Sequence, residues 1–176
     1  MTTKLNHTEA LLPTGKWQLD TAATTVTVSV RKLAIFDVAA TLAVRSGTIE
    51  IDENHQVTSV DIVADAGSYT SRSAKRNEHV VSKDFLDAES HPDIRFQADT
   101  VISRGDGYQG KGTATVKGKS SPVDVAVSDV SFTDATGAFT VTAVIDRKAI
   151  GIDKMPTLVI GQTVELTVNA KVERIS

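Results

Sequence analysis

The densest run of chemistry-bearing side chains is RNEHVVSKDFLDAESHPDIRF, Arg76 to Phe96, which carries two of the chain's four histidines among several carboxylates. His79 with Asp84 or Asp87 has the makings of an acid–base pair, because a carboxylate can orient an imidazole and hold it in one tautomer. Such a pair needs a nucleophile or a metal to act with. The chain contains no Gly-x-Ser-x-Gly elbow and no His-Glu-x-x-His helix. His79 and His91 stand twelve residues apart with Pro92 directly after the second, which is not a spacing for two ligands of one ion. The reading that fits is structural: Arg76, His79 and Asp84 clasp a helical insertion to the body of the protein by bonding carbonyls, amides and one another. No catalytic residue, metal ligand or cofactor is assigned. His7 and His55 fall in a tail and a turn, where solvent exposure accounts for them.

The elements that position this run come from a chain of 176 residues, about one domain in length and long enough to enclose a core or a cavity. Its 40% hydrophobic and 23% charged residues are those of a folded globular protein. A net charge of -3 leaves no clustered basic surface for phosphates, which argues against a nucleic-acid partner. The absence of cysteine removes disulfides, thiolate metal sites and cysteine nucleophiles from consideration. No apolar run has the length of an export signal or a membrane span, so the expectation is a cytoplasmic protein without a transmembrane segment. Residues 1–14 are expected to be a flexible tail, and residues 15–176 the domain.

Within that domain the dominant pattern has period two. Val26, Val28 and Val30 alternate with Thr25, Thr27 and Ser29, which puts valines on one face and hydroxyls on the other. The alternation returns at Val38–Val44, at Ile49 and Ile51 after Gly47, and at Val60–Ala64. Further on it marks Ile94–Ala98, Tyr108–Val116, Val123–Val127, Phe139–Ile145 and Val164–Val172. RGDG, KGKSSP and TDATG supply turns between neighbours. Between Ser71 and Ala88 the rhythm breaks, and Ser73 and Ser82 suit helix starts, with Asp84 in a first turn. The prediction is all-β: about eight antiparallel strands with one short helical insertion, closed into a barrel because closure removes exposed edges. GDGYQG satisfies Gly-x-Gly-x-x-Gly by spelling alone, since a strand and not a helix follows it.

An eight-stranded barrel is just wide enough to be filled by side chains or to hold one small ligand. Aromatic residues are only 5% of the chain, and Gly110 and Gly112 add no side chain to the inward face. Small linings leave room, whereas dense packing is the rule for interiors. Composition leaves both outcomes open.

The order of short motifs resembles the YceI-like, or polyisoprenoid-binding, domain. WQLD (17–20) and SGTIEID (46–52) come first, then Arg76-Asn77-Glu78-His79-Val80 with Lys83-Asp84-Phe85-Leu86-Asp87. These are followed by HPDIRF (91–96), GKGTATVKGKSSPV (110–123), DRKAIGI (146–152) and VELTV (164–168). The resemblance covers about Trp17 to Val172. It implies an extended, lipocalin-like barrel around a long apolar channel that holds a polyisoprenoid, an isoprenoid quinone or a fatty-acid-type amphiphile, and it implies a carrier or store and no enzyme. A homodimer is also implied. Many relatives carry an export signal and a His-Ser pair in the first strand, where this chain has Ala23-Thr24.

On that reading the ligand-binding residues are Val28, Val30, Leu33, Ile35, Phe36, Leu42, Ile49, Ile62, Phe85, Phe96 and Val116. Leu33–Phe36 with Phe85 and Leu86 would line or cover a mouth, or else simply cap one end of the barrel. Burying ten methylenes yields roughly 8 kcal/mol against an association cost of ~4–15 kcal/mol, so a longer chain is favoured. The alternative is a ligand-free barrel acting as an interaction or stress-related scaffold.

Overall fold

The computed structural model describes residues 11–32, 36–153 and 160–176, without the side chains of Arg31, Lys32, Phe36 and Ile160. The alternating segments form β1 (Gly15–Leu19), β2 (Thr25–Lys32), β3 (Phe36–Leu42), β4 (Val44–Ile51) and β5 (Val57–Asp65). A 3-10 turn (Ala66–Ser68) and the helix α1 (Ala74–Val81) follow. The chain continues through β6 (Asp93–Arg104), β7 (Gly107–Val116), β8 (Lys119–Phe132), β9 (Thr136–Asp146) and β10 (Ile160–Arg174). All pairings are antiparallel, and β1, β4, β5, β6, β7, β8, β9 and β10 close in that order into an eight-stranded barrel. Closure pairs Trp17 of β1 with Arg174 of β10 on one side and with Ile49 of β4 on the other.

β2 and β3 prolong the first two staves past a bend. At the break between β1 and β2, Asp20 accepts from the Ala22 and Ala23 amides. Buried Thr24 exchanges hydrogen bonds with the Lys171 backbone, so the chain returns to the same neighbour, β10, after the bend. Beyond Asp65 the β5 strand ends, and residues 66–92 take its place beside β3. Thr41 and Thr70 bridge there, and the Ala43 amide donates to Ser68 Oγ. The wall is therefore all strand around one end of the barrel and part helical insertion around the other.

Two local expectations change. Gly47 does not separate strands; it lies inside β4, where an added Cβ would come within 2.1 Å of the Leu19 side chain. The inward parity instead switches at a bulge between Val44 and Ser46. Ser73 caps α1 as expected, accepting from the Arg76 amide, but Ser82 ends that helix, its amide bonded to the His79 carbonyl. Asp84 consequently has no first helical turn to complement.

Candidate functional site

The barrel interior is open. Two apolar chambers follow one another along it, of about 160 Å³ and 150 Å³. Ile94, Ile145 and Leu166 line both and form the waist between them. An apolar void of this size stays dry and accepts a hydrocarbon. Several inward residues, including Ile62, Val141, Ala143, Leu166 and Val168, are only partly buried although they point away from the surface. That is what an unfilled interior requires.

The chamber in the all-strand end is bounded by Ile49, Ile51, Val57, Tyr108, Phe132 and Phe139 among others, and exposes no polar surface. The second chamber lies under the insertion, between Val38 and Leu42 of β3, Tyr69, Val80, Phe85 and Leu86 of residues 66–92, and Arg147, Ile150 and Ile152 after β9. Burial raises the Tyr69 phenol, an effect that the nearby Arg76 charge opposes in part, and burial likewise raises Tyr108. Both are neutral hydroxyls at physiological pH, so neither introduces a charge into the walls.

Of the expected lining, Val28, Val30, Leu42, Phe85 and Val116 face the second chamber, and Ile49, Ile62 and Phe96 face the first. Leu33 and Ile35 lie outside the described residues, as does the Phe36 side chain. Gly110 and Gly112 leave less space than expected. The Phe96 ring lies 2.9 Å from where a Gly112 Cβ would be, and Val125 stands 2.8 Å from that of Gly110, so these glycines let neighbours lean against the sheet. The room comes from Ala98, Ala114, Ala143 and the valines.

The Arg76–Phe96 run fastens the insertion through other side chains than those expected. Arg76 Nη1 donates to Ser71 Oγ at 3.4 Å, while the exposed His79 ring sits edge-on to Phe85 with centroids 4.7 Å apart. Asp84 is exposed, and no bond joins Arg76, His79 and Asp84 among the described residues. Within the insertion Asn77 Oδ1 accepts from the Ser71 amide and hydroxyl, and buried Phe85 and Leu86 fasten it over the second chamber. Among the described residues no three of His, Asp and Glu converge as metal ligands.

Three features carry roles that the sequence reading did not assign, Arg147 among them although it lies in the DRKAIGI motif. Arg147 is 2% exposed on the wall of the second chamber, where its Nε donates to the Gly161 carbonyl at 2.9 Å and its Nη1 to the Ile152 carbonyl at 2.8 Å. It ties the loop after β9 to the start of β10. His55, expected in solvent, is half-buried with Nδ1 2.8 Å from the Leu12 carbonyl. Leu12, expected in a flexible tail, is 8% exposed and lines the first chamber.

Comparison with known proteins agrees with this fold. The YceI-like domain matches residues 17–172. A UPF0312 protein of Vibrio campbellii is 33% identical over 82 residues, 46% of this chain and 43% of that protein. A UPF0312 protein of Yersinia pestis is 32% identical over 72 residues, 41% of this chain and 38% of that protein. The aligned stretches thus span less than half of these curated relatives. Among solved structures, Burkholderia cenocepacia BcnA superposes with a TM-score of 0.75 at 21% identity, covering 87% of this chain and 98% of that one. A polyisoprenoid binding domain from Saccharophagus degradans, implicated in plant cell wall breakdown, gives 0.67 at 14% identity, covering 90% and 98%. At such identities the structural likeness concerns the fold.

Proposed function

This chain belongs to the YceI-like domain family, and we propose that it stores or carries a long-chain apolar molecule threaded along the barrel axis. The observation that carries this reading is the pair of apolar chambers meeting at Ile94, Ile145 and Leu166. A linear molecule suits such a cavity better than a compact one, because each chamber alone is small and the waist joins them end to end.

Length and energy agree. From Phe139 to Arg147, one residue past the end of β9, the wall runs eight residue steps, or roughly 27 Å at ~3.4 Å per residue. Strand tilt of about 40° shortens this to ~20 Å along the axis. Carbon–carbon bonds span about 1.5 Å each, so a molecule of that reach has at least about 13 of them. Burying as many methylenes yields ~10 kcal/mol, which offsets an association cost of ~4–15 kcal/mol. A polyprenyl chain, the tail of an isoprenoid quinone or a long acyl chain meets the requirement, and the Saccharophagus neighbour, described as a polyisoprenoid binding domain, supports the first of these. The role is binding without turnover.

The test is organic extraction of protein purified from its native host, followed by mass spectrometry. A long-chain species at near one per protein is expected. A clean extract, together with no competition for a hydrophobic fluorescent probe, would leave the barrel as a scaffold without cargo.

A further inference from the structure

We infer that Leu12 sets the maximum chain length this barrel accepts, a conclusion that rests on the carrier reading above. Leu12 precedes the residues matched by the family domain, 17–172, yet its side chain is buried and forms part of the first chamber's wall beside Ile51 and Val57. It lies at the end opposite the helical insertion.

Its position is held from three directions. The Leu12 carbonyl lies 2.8 Å from His55 Nδ1, in the turn between β4 and β5. Trp17 Nε1 donates to the Pro13 carbonyl at 3.3 Å. Pro13 in turn restricts the residue before it to extended backbone. Trp17 is a firm anchor: it is fully buried, its ring is edge-on to Phe132 with centroids 5.0 Å apart, and the Arg174 guanidinium sits 5.1 Å from its centroid. Leu12 is thus a side chain from outside the barrel strands, fixed in the wall of the first chamber beside the turn between β4 and β5.

The polarity of the two chambers orients the ligand. The first exposes no polar surface although Tyr108 and Arg95 border it, whereas the second exposes a little and contains the buried guanidinium of Arg147 and the phenol of Tyr69. The apolar tail therefore occupies the first chamber and any polar head the second. The last carbons of the tail meet Leu12.

The experiment titrates delipidated protein with a graded series of saturated fatty acids, each competing against a fluorescent fatty acid. In the wild type, affinity is expected to rise about fourfold per added methylene until the tail reaches Leu12, then to level off. Leu12→Ala removes three side-chain carbons and should move that break to chains longer by about two or three carbons, each still gaining about fourfold. Leu12→Phe should move it to shorter chains, and Leu12→Met should leave it in place, so that one misfolded variant does not decide the outcome. An unchanged break in the Ala and Phe variants, with the wild type binding, overturns the role of Leu12 and leaves the carrier reading standing. Failure of the wild type to bind any member overturns both.

Discussion

Ala143 offers the sharpest perturbation of the channel. It lies in β9, paired with Val125 of β8 and with Leu166 of β10, and it faces the first chamber just below the waist. Its neighbour Val144 points the other way and is 57% exposed. Ala143→Phe places a phenyl ring in a void of about 160 Å³, where it displaces on the order of four ligand methylenes, a loss of ~3 kcal/mol. Affinity for a long-chain fatty acid should fall by more than about 100-fold. Val144→Phe makes the same chemical change on the outer surface and should leave affinity unaltered. Stability of the delipidated protein provides an independent check, because a ring entering an empty space costs little, whereas one forced into a filled core costs ~1–3 kcal/mol. Competitive fluorescence titration gives the first quantity and urea unfolding the second. Undiminished affinity in a folded Ala143→Phe variant would place the ligand elsewhere, and marked destabilisation would mean that the void is not there.

Two further variants probe the frame around the channel. Arg147→Met keeps an unbranched apolar stem, two atoms shorter, and leaves the Gly161 and Ile152 carbonyls without that donor; a loss of ~1–3 kcal/mol per orphaned group is expected in urea unfolding. Arg95 holds Asp61 by two hydrogen bonds, of 2.9 and 2.6 Å, and this pairing, chiefly the hydrogen bond, depresses the Asp61 carboxyl below its usual range. Because the folded value lies below the unfolded one, the pair's contribution is present above the ordinary carboxylate range and lost as pH falls through the folded value. Asp61→Asn should therefore unfold at slightly lower urea than the wild type at neutral pH, the difference being small for so exposed a pair. The two midpoints should converge in acid.

Period-two alternation made the strands legible because apolar and polar residues take alternate faces in stretches such as Val26–Val30 and Val164–Val172. The bend between β3 and β4 was not legible. Val38 to Val44 keeps one parity, and the change occurs at a bulge whose Arg45-Ser46 carries no distinctive composition. Ser73 signalled its helix correctly, since a side-chain oxygen is what an N-terminus needs. Ser82 carries the same oxygen at the other end of α1, so residue type alone could not tell a start from a stop.

The channel was half legible. Eight of the expected lining residues face a chamber: inward alternation alone places the seven on strands there, whatever fills the centre, and Phe85 comes from the insertion. Whether the centre is empty depends on how side chains from eight staves meet, a sum over the whole barrel that no local pattern carries. Arg147, Leu12 and His55 were missed for a related reason. Each acquires its place through contacts distant in sequence: Arg147 with Gly161, and Leu12 with His55.

The central claim is that one linear molecule occupies both chambers and passes between Ile94, Ile145 and Leu166. Crystals of the delipidated protein soaked with a long-chain saturated fatty acid test it most directly. Continuous density through the waist, with its methyl end against Leu12, is the predicted result. Density confined to the outer surface, with both chambers empty, would contradict it.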